Sequence, residues 1–162
     1  SIPGQGTVFK IYFPVVGQIK AADIPITEPD VPQGMSKTIL LVDDEPDILN
    51  PFSRFLEKFG YEVHAFENGL DALRAFQKAP HGFDLVITDM FMPGMTGEAL
   101  SVKAMEIRPD IPIILCTGYA DRFDEATAMK LGIRKYVQKP IMIRQLNDLI
   151  IEVLGNEVIT RP

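Results

Sequence analysis

From Lys37 onward the sequence alternates, five times over, a short apolar run with a segment of helical period, and few folds accept that pattern. The strand-type runs are Ile39–Val42, Glu62–Phe66, Leu85–Thr88, Ile113–Cys116 and Lys135–Gln138. The helical patterns between and after them are Pro46–Phe59, Gly69–Lys78, Glu98–Ile107, Asp121–Leu131 and Ile143–Leu154. Gly60 and Gly132 stand where C-terminal helix caps are expected. Such an alternation predicts an α/β fold with a parallel sheet covered by helices on both faces. Pro51 falls inside the first helical pattern and is expected to distort it, or to push its regular part to about Phe52. In the last pattern Ile143, Leu146, Leu149, Ile150 and Val153 lie on one stripe, as a core-facing helix requires.

The chemistry-bearing residues fall at the strand ends. Ligands of open parallel sheets bind beyond the carboxyl ends of the strands. The first run ends in Asp43-Asp44-Glu45 before Pro46, a residue suited to a first helical turn. The third delivers Asp89 to a loop shaped by Pro93, Gly94 and Gly97. If the two strands are neighbours, each like-charge pair about 5 Å apart costs roughly 3 kcal/mol at an effective dielectric of about 20. A hard divalent cation such as Mg²⁺ would relieve that repulsion. The fourth run continues into Thr117-Gly118 and the fifth into Lys139-Pro140, which brings a hydroxyl and an ammonium to the same edge. Together these groups resemble a phosphoryl site, with acid to hold a metal, one carboxylate to attack, and Thr and Lys to bind oxygens. Taken singly, Asp89 could be a helix N-cap, Thr117 a capping hydroxyl and Lys139 a solvated charge; their coincidence is what carries weight.

Composition narrows the classes. A net charge of -6 and the lack of any Lys/Arg run argue against a nucleic-acid surface. The single cysteine, Cys116, sits in an apolar run and reads as a buried strand residue; one cysteine forms no internal disulfide, which fits a reducing compartment. No apolar run approaches the roughly 20 residues of a membrane span, and no signal-peptide pattern opens the sequence, so a cytoplasmic segment without membrane contact is expected. That leaves room for a membrane anchor elsewhere in a longer parent protein. Met90, Met92 and Met95 are soft donors unsuited to Mg²⁺ and read as packing or partner-facing residues. His64 on a strand and His81 beside Pro80 lack the helical, acid-flanked setting of a phosphodonor histidine.

Asp43-Asp44, Asp89 with its Met-Pro-Gly loop, Thr117-Gly118 and Tyr136-x-x-Lys139-Pro140 resemble the receiver domain of two-component response regulators, over residues 37–154. The resemblance implies a flavodoxin-like doubly wound sheet of five parallel strands in order 2-1-3-4-5 with five helices. It makes Asp89 the phosphoacceptor, accepting from phosphohistidine and slowly losing the phosphoryl group to water. It implies direct Mg²⁺ binding by Asp44, binding by Asp43 chiefly through water, and a further ligand in the Phe91 main-chain carbonyl. Lys139 would contact the phosphoryl group, and Pro140 would follow a cis peptide bond. Thr117 and Tyr136 would form a switch pair that remodels the surface around the fourth helix, fifth strand and fifth helix, a surface that could also serve a dimer. Partners would be a histidine kinase or a histidine phosphotransfer domain. Thr96 departs from the family, which often has Asp before the loop glycine. Phe91 flanks the acceptor and would control water access.

Residues 1–35 differ from the rest. Five of the 13 prolines lie there, and residues 15–36 read as an extended linker. Gly4-x-Gly6-Thr7-x-Phe9-x-Ile11-x-Phe13-Pro14 is similar to the last glycine box and final strand of the ATP-binding domain of sensor histidine kinases. The organisation that follows is a kinase remnant over 1–14, a linker over 15–36, the receiver over 37–154 and a tail over 155–162. The chain would then be the C-terminal end of a hybrid sensor histidine kinase, unable by itself to phosphorylate from ATP. Rival readings fit less well. A receiver-like docking module would keep the fold without phosphorylation. A haloacid-dehalogenase phosphatase needs a second Asp two residues after its nucleophile, where this sequence has Phe91, and an FMN binder would want a Ser/Thr/Gly-rich phosphate loop in place of Asp43-Asp44-Glu45.

Overall fold

The structure is a computed structural model that describes residues 37–118 and 125–155. The expected kinase remnant, the linker and residues 156–162 of the tail lie outside the described residues. Five strands, β1 (Thr38–Val42), β2 (Glu62–Phe66), β3 (Leu85–Asp89), β4 (Ile113–Thr117) and β5 (Lys135–Gln138), form one sheet in the order β2-β1-β3-β4-β5. All four pairings are parallel, with Val42 beside Thr88 and Asp89 beside Cys116. The helices are α1 (Pro46–Lys58), α2 (Gly69–Lys78), α3 (Gly97–Ile107), α4 (Glu125–Lys130) and α5 (Ile143–Gly155). This is the five-stranded flavodoxin-like arrangement that the sequence pattern and the family resemblance implied.

Alternation along the strands sorts the apolar side chains to two faces. Ile39, Leu41, Leu85 and Ile87 pack with Leu49 and Leu56 of α1 and Leu146 and Ile150 of α5. Leu40, Val42 and Val86 face the other way, against Ala72 and Phe76 of α2 and Leu100 of α3. A smaller cluster of Met90, Leu115, Ala128 and Ile133 holds α4. The edge strand β2 is mostly exposed, whereas β3 and β4 are buried throughout. Central strands sheltered by helices on both sides carry the continuous apolar runs from which the sequence was read.

Local signals set the element ends. Gly60 and Gly132 follow α1 and α4 with φ of 87° and 93°, the left-handed conformation of a C-terminal cap. Asn68 caps α2 by accepting from the Asp71 N–H at 2.8 Å. Thr96 caps α3 by accepting from the Ala99 N–H at 3.2 Å. Thr is a good capping residue, as Asp is, so the departure at Thr96 keeps the helix start intact.

Several expected boundaries shift. α1 runs unbroken from Pro46 through Pro51 to Lys58, contrary to the expected distortion. Pro51 is exposed, so its missing N–H removes one bond on the solvent side while Leu49 and Leu56 anchor the opposite face in the core. β3 and β4 each extend one residue farther, which makes Asp89 and Thr117 strand residues proper. α4 is described only from Glu125; the expected start at Asp121 lies outside the described residues. A single 3-10 turn, Pro80–Gly82, holds His81 and was not foreseen. Behind it Arg108, whose side chain is mostly buried, donates to the carbonyls of Phe83 at 2.6 Å and Pro80 at 3.2 Å and fixes the entry to β3.

Candidate phosphoacceptor site

Parallel pairing brings the carboxyl ends of β1, β3, β4 and β5 to one edge, and four predicted residues meet there. Asp43 follows β1, Asp89 ends β3, Thr117 ends β4 and Lys139 follows β5. Asp43, Asp89 and Thr117 are buried, with 6%, 6% and 1% of their surface exposed. The Lys139 ammonium lies between the two carboxylates, 2.7 Å from Asp43 Oδ2 and 2.5 Å from Asp89 Oδ1. Its backbone is tied to the end of β4, where the Lys139 N–H donates to the Thr117 carbonyl at 2.7 Å, and the bond to Pro140 is cis.

The remaining carboxylate oxygens are oriented by main-chain donors. The Glu45 N–H donates to Asp43 Oδ1 at 2.9 Å, and the Phe91 N–H donates to Asp89 Oδ2 at 2.7 Å. Burial works against the Lys139 charge, but hydrogen bonds and Coulombic attraction from Asp43 and Asp89 outweigh it and push its pKa above the ordinary lysine value. The ammonium is therefore a fixed positive charge at the floor of the site. Beneath it lies a cavity of about 30 Å³, walled by apolar side chains including Leu49, Phe52, Ile87 and Leu146. That apolar floor strengthens the ion pairs above it. Cys116 borders the same cavity, and burial pushes its thiol up to about 12, as a strand residue without nucleophilic character.

The other predicted residues take distinct places. Asp44 is half-buried beside Asp43. Among the described residues no three carboxylate, His or Cys side chains are grouped as a ready metal cage. Phe91 is 59% exposed at the mouth of the site. Tyr136 is half-buried and packs against the cluster of Met90, Leu115, Ala128 and Ile133. Met90 and Met92 are buried and Met95 half-buried, so of the two readings, packing or partner-facing, these positions take the packing one. Two participants were not singled out as site residues in the sequence, Cys116 beneath the carboxylates and Gly97 behind Asp89. Both are signalled only by three-dimensional proximity.

Residues 39–151 match the sequence profile of the response regulator receiver domain. The chain belongs to that family. It is similar to the response regulator receiver protein CpdR of Brucella abortus, 36% identical over 118 residues that cover 73% of this chain and 97% of the relative. It is also similar to the sensor kinase CckA of the same organism, 32% identical over 164 residues, covering 95% of this chain but 17% of the kinase. The sensory transduction protein RegX3 of Mycobacterium bovis is 33% identical over 117 residues, and the chain spans half of its length. Among solved structures, a receiver domain protein from Clostridium thermocellum superposes with a TM-score of 0.72 at 31% identity, covering 77% of this chain and 99% of that one. The response regulator TrrA of Thermotoga maritima, in complex with Mg(2+)-BeF, gives 0.65 at 33% identity over 73% of this chain and 99% of that one. The receiver domain described here is thus a phosphoacceptor module of the two-component kind. No helix among its described residues is long and apolar enough to cross a membrane.

Proposed function

We propose that the receiver domain accepts a phosphoryl group from a phosphohistidine onto Asp89 and changes conformation in response. The supporting observation is the convergence of Asp89, Asp43 and Lys139 at one strand edge, with the ammonium within hydrogen-bonding distance of both carboxylates. In the transfer an Asp89 carboxylate oxygen attacks phosphorus, the P–O bond forms, the P–N bond to the donor imidazole breaks, and the imidazole leaves. Lys139 offsets the negative charge that then resides on the phosphoryl oxygens, and the Phe91 N–H holds the carboxylate in register. Hydrolysis reverses the modification when water attacks the acyl phosphate.

The donor atoms at the mouth are all oxygens, and one ammonium faces two buried carboxylates with Asp44 beside them. That set fits Mg²⁺, which keeps several waters and takes one or two carboxylates. Asp43, Asp44, Asp89 and the Phe91 carbonyl are the groups that would hold it. Bound there, it would supply positive charge to the transferred group. Thr117 and Tyr136 are proposed as the switch pair: the hydroxyl would move to the phosphoryl oxygens, and the ring would move farther into the cluster around Met90 against which it already packs.

The partner is proposed to be a histidine kinase or histidine phosphotransfer domain, in a cytoplasmic setting, with α4, β5 and α5 as the surface for output or dimerisation. The parent is proposed to be a hybrid sensor histidine kinase. Support comes from the likeness to CckA, which covers 95% of the chain and so extends ahead of the receiver into the first 36 residues. The test is a beryllofluoride titration with and without Mg²⁺, followed by NMR, on the parent chain and on Asp89→Asn. Mg²⁺-dependent saturation that disappears in Asp89→Asn is expected; a parent chain that never responds would leave only a docking module.

A further inference from the structure

Gly97, the first residue of α3, is buried directly behind the acceptor. A Cβ placed on it would collide with the Asp89 carbonyl oxygen and lie 2.9 Å from the Asp89 carbonyl carbon and 2.8 Å from Leu115 Cδ1. At Gly69, Gly82, Gly94, Gly118, Gly132 and Gly155 no backbone atom stands so close. The reason is not conformational, because the positive-φ glycines of the described residues are Gly60, Gly94 and Gly132. Any residue could adopt the Gly97 backbone; none with a side chain could occupy its place.

Three hydrogen bonds surround that contact. The Gly97 N–H donates to the Met90 carbonyl at 2.9 Å and closes the loop that leaves Asp89. The buried Ser101 hydroxyl donates to the Gly97 carbonyl at 2.6 Å, which ties this residue into the helix. The buried Thr88 hydroxyl also donates to the Asp89 carbonyl, at 3.1 Å. The Asp89 carbonyl thus meets both a hydroxyl on its own strand and the bare Cα of the next helix. Its side chain is aimed by the same frame, through the Phe91 N–H within the loop that Gly97 closes.

We propose that Gly97 is a positioning residue for phosphoryl acceptance: the absent side chain lets α3 seat on the Asp89 carbonyl and so fixes where the acceptor oxygen stands relative to Lys139. The proposal rests on Asp89 being the acceptor. Displacing a reacting group by about 1 Å can cost about a hundredfold in rate. Of the groups proposed to hold Mg²⁺, Asp43 and Asp44 follow β1, whereas Asp89 and the Phe91 carbonyl belong to the frame that Gly97 closes, so Mg²⁺ affinity should fall less than beryllofluoride affinity.

The experiment compares the parent chain, Gly97→Ala, Thr88→Val and a control, Val153→Ala, which loosens the α5 packing away from the site. Each is measured for urea stability, for Mg²⁺ affinity, and for beryllofluoride affinity at saturating Mg²⁺. In Gly97→Ala beryllofluoride affinity at saturating Mg²⁺ should fall at least about tenfold, and by more than Mg²⁺ affinity falls, the pattern of a misplaced acceptor. Val153→Ala should lose stability and keep both affinities. Thr88→Val removes the other contact of the same carbonyl without adding bulk, and should show the same difference at smaller amplitude. If Gly97→Ala does not fold, Thr88→Val decides: that difference supports the proposal, and unchanged beryllofluoride affinity overturns it. Gly97→Ala that folds and binds beryllofluoride like the parent also overturns it. A parent chain that binds no beryllofluoride would instead sink the acceptor reading on which the proposal rests.

Discussion

Replacing Lys139 by Met keeps an unbranched side chain up to the ε position and removes the cation shared by Asp43 and Asp89. Its ammonium is 2.7 Å from one carboxylate oxygen and 2.5 Å from the other, so those two oxygens are no more than about 5 Å apart. Both Asp side chains are more than nine-tenths buried, and Lys139 is 17% exposed, so solvent screens the trio weakly. At an effective dielectric of about 20 the uncompensated repulsion comes to about 3 kcal/mol. Loss of one partner of a buried ion pair costs a similar amount by experiment, about 3–5 kcal/mol. Urea unfolding in EDTA should therefore show Lys139→Met with a midpoint about 1–3 M below the parent, for a slope of about 1–3 kcal/mol/M. Mg²⁺ should restore more stability to the variant than to the parent, because a ligand at about a hundred times its Kd contributes about 2.7 kcal/mol and the variant site carries more negative charge. A loss below about 0.5 kcal/mol in EDTA, the range of ordinary surface substitutions, would refute the electrostatic account. Equal Mg²⁺ stabilisation of both proteins would refute the metal part of it.

Three further outcomes follow from particular contacts. Thr117→Ala should bind Mg²⁺ as the parent does but show smaller NMR shift changes on adding beryllofluoride; equal changes would remove Thr117 from the switch. Cys116 should resist a thiol reagent at pH 8 until the domain unfolds, since burial holds its thiol up near 12. The sign is that of a group ionising more readily when unfolded: its contribution to stability is whole below about pH 9, the ordinary thiol range, and is lost as pH rises toward 12. Rapid labelling of the native domain would contradict this. Thr96→Ala should lower stability by about 1 kcal/mol through loss of the α3 cap, a change read from the urea midpoint, and an unchanged midpoint would mean that the 3.2 Å contact contributes nothing.

The sheet was readable because β3 and β4 are sheltered on both faces and so carry unbroken apolar runs, while Gly60 and Gly132 mark helix ends by a conformation few other residues adopt. The site was readable because parallel topology sends every strand end to one edge, so residues far apart in sequence, such as Asp43 and Lys139, can be assigned to the same edge by position alone. Pro51 misled because propensity records its missing N–H but not that the bond would lie on the solvent side of a helix anchored by Leu49 and Leu56. The 3-10 turn at Pro80–Gly82 went unseen because Arg108, about 25 residues away, supplies the donors that hold it.

Fold class and the set of chemical groups at the strand ends were therefore legible in local pattern, which acts through backbone propensity and the period of burial, while the strand order followed from the family resemblance. Which groups touch is another matter. That Lys139 bridges Asp43 and Asp89, and that Gly97 has no room for a methyl group, both depend on packing distances of a few ångströms. Those distances arise only when helices and sheet close on one another, because van der Waals contact and charge pairing act between residues that the chain itself keeps far apart.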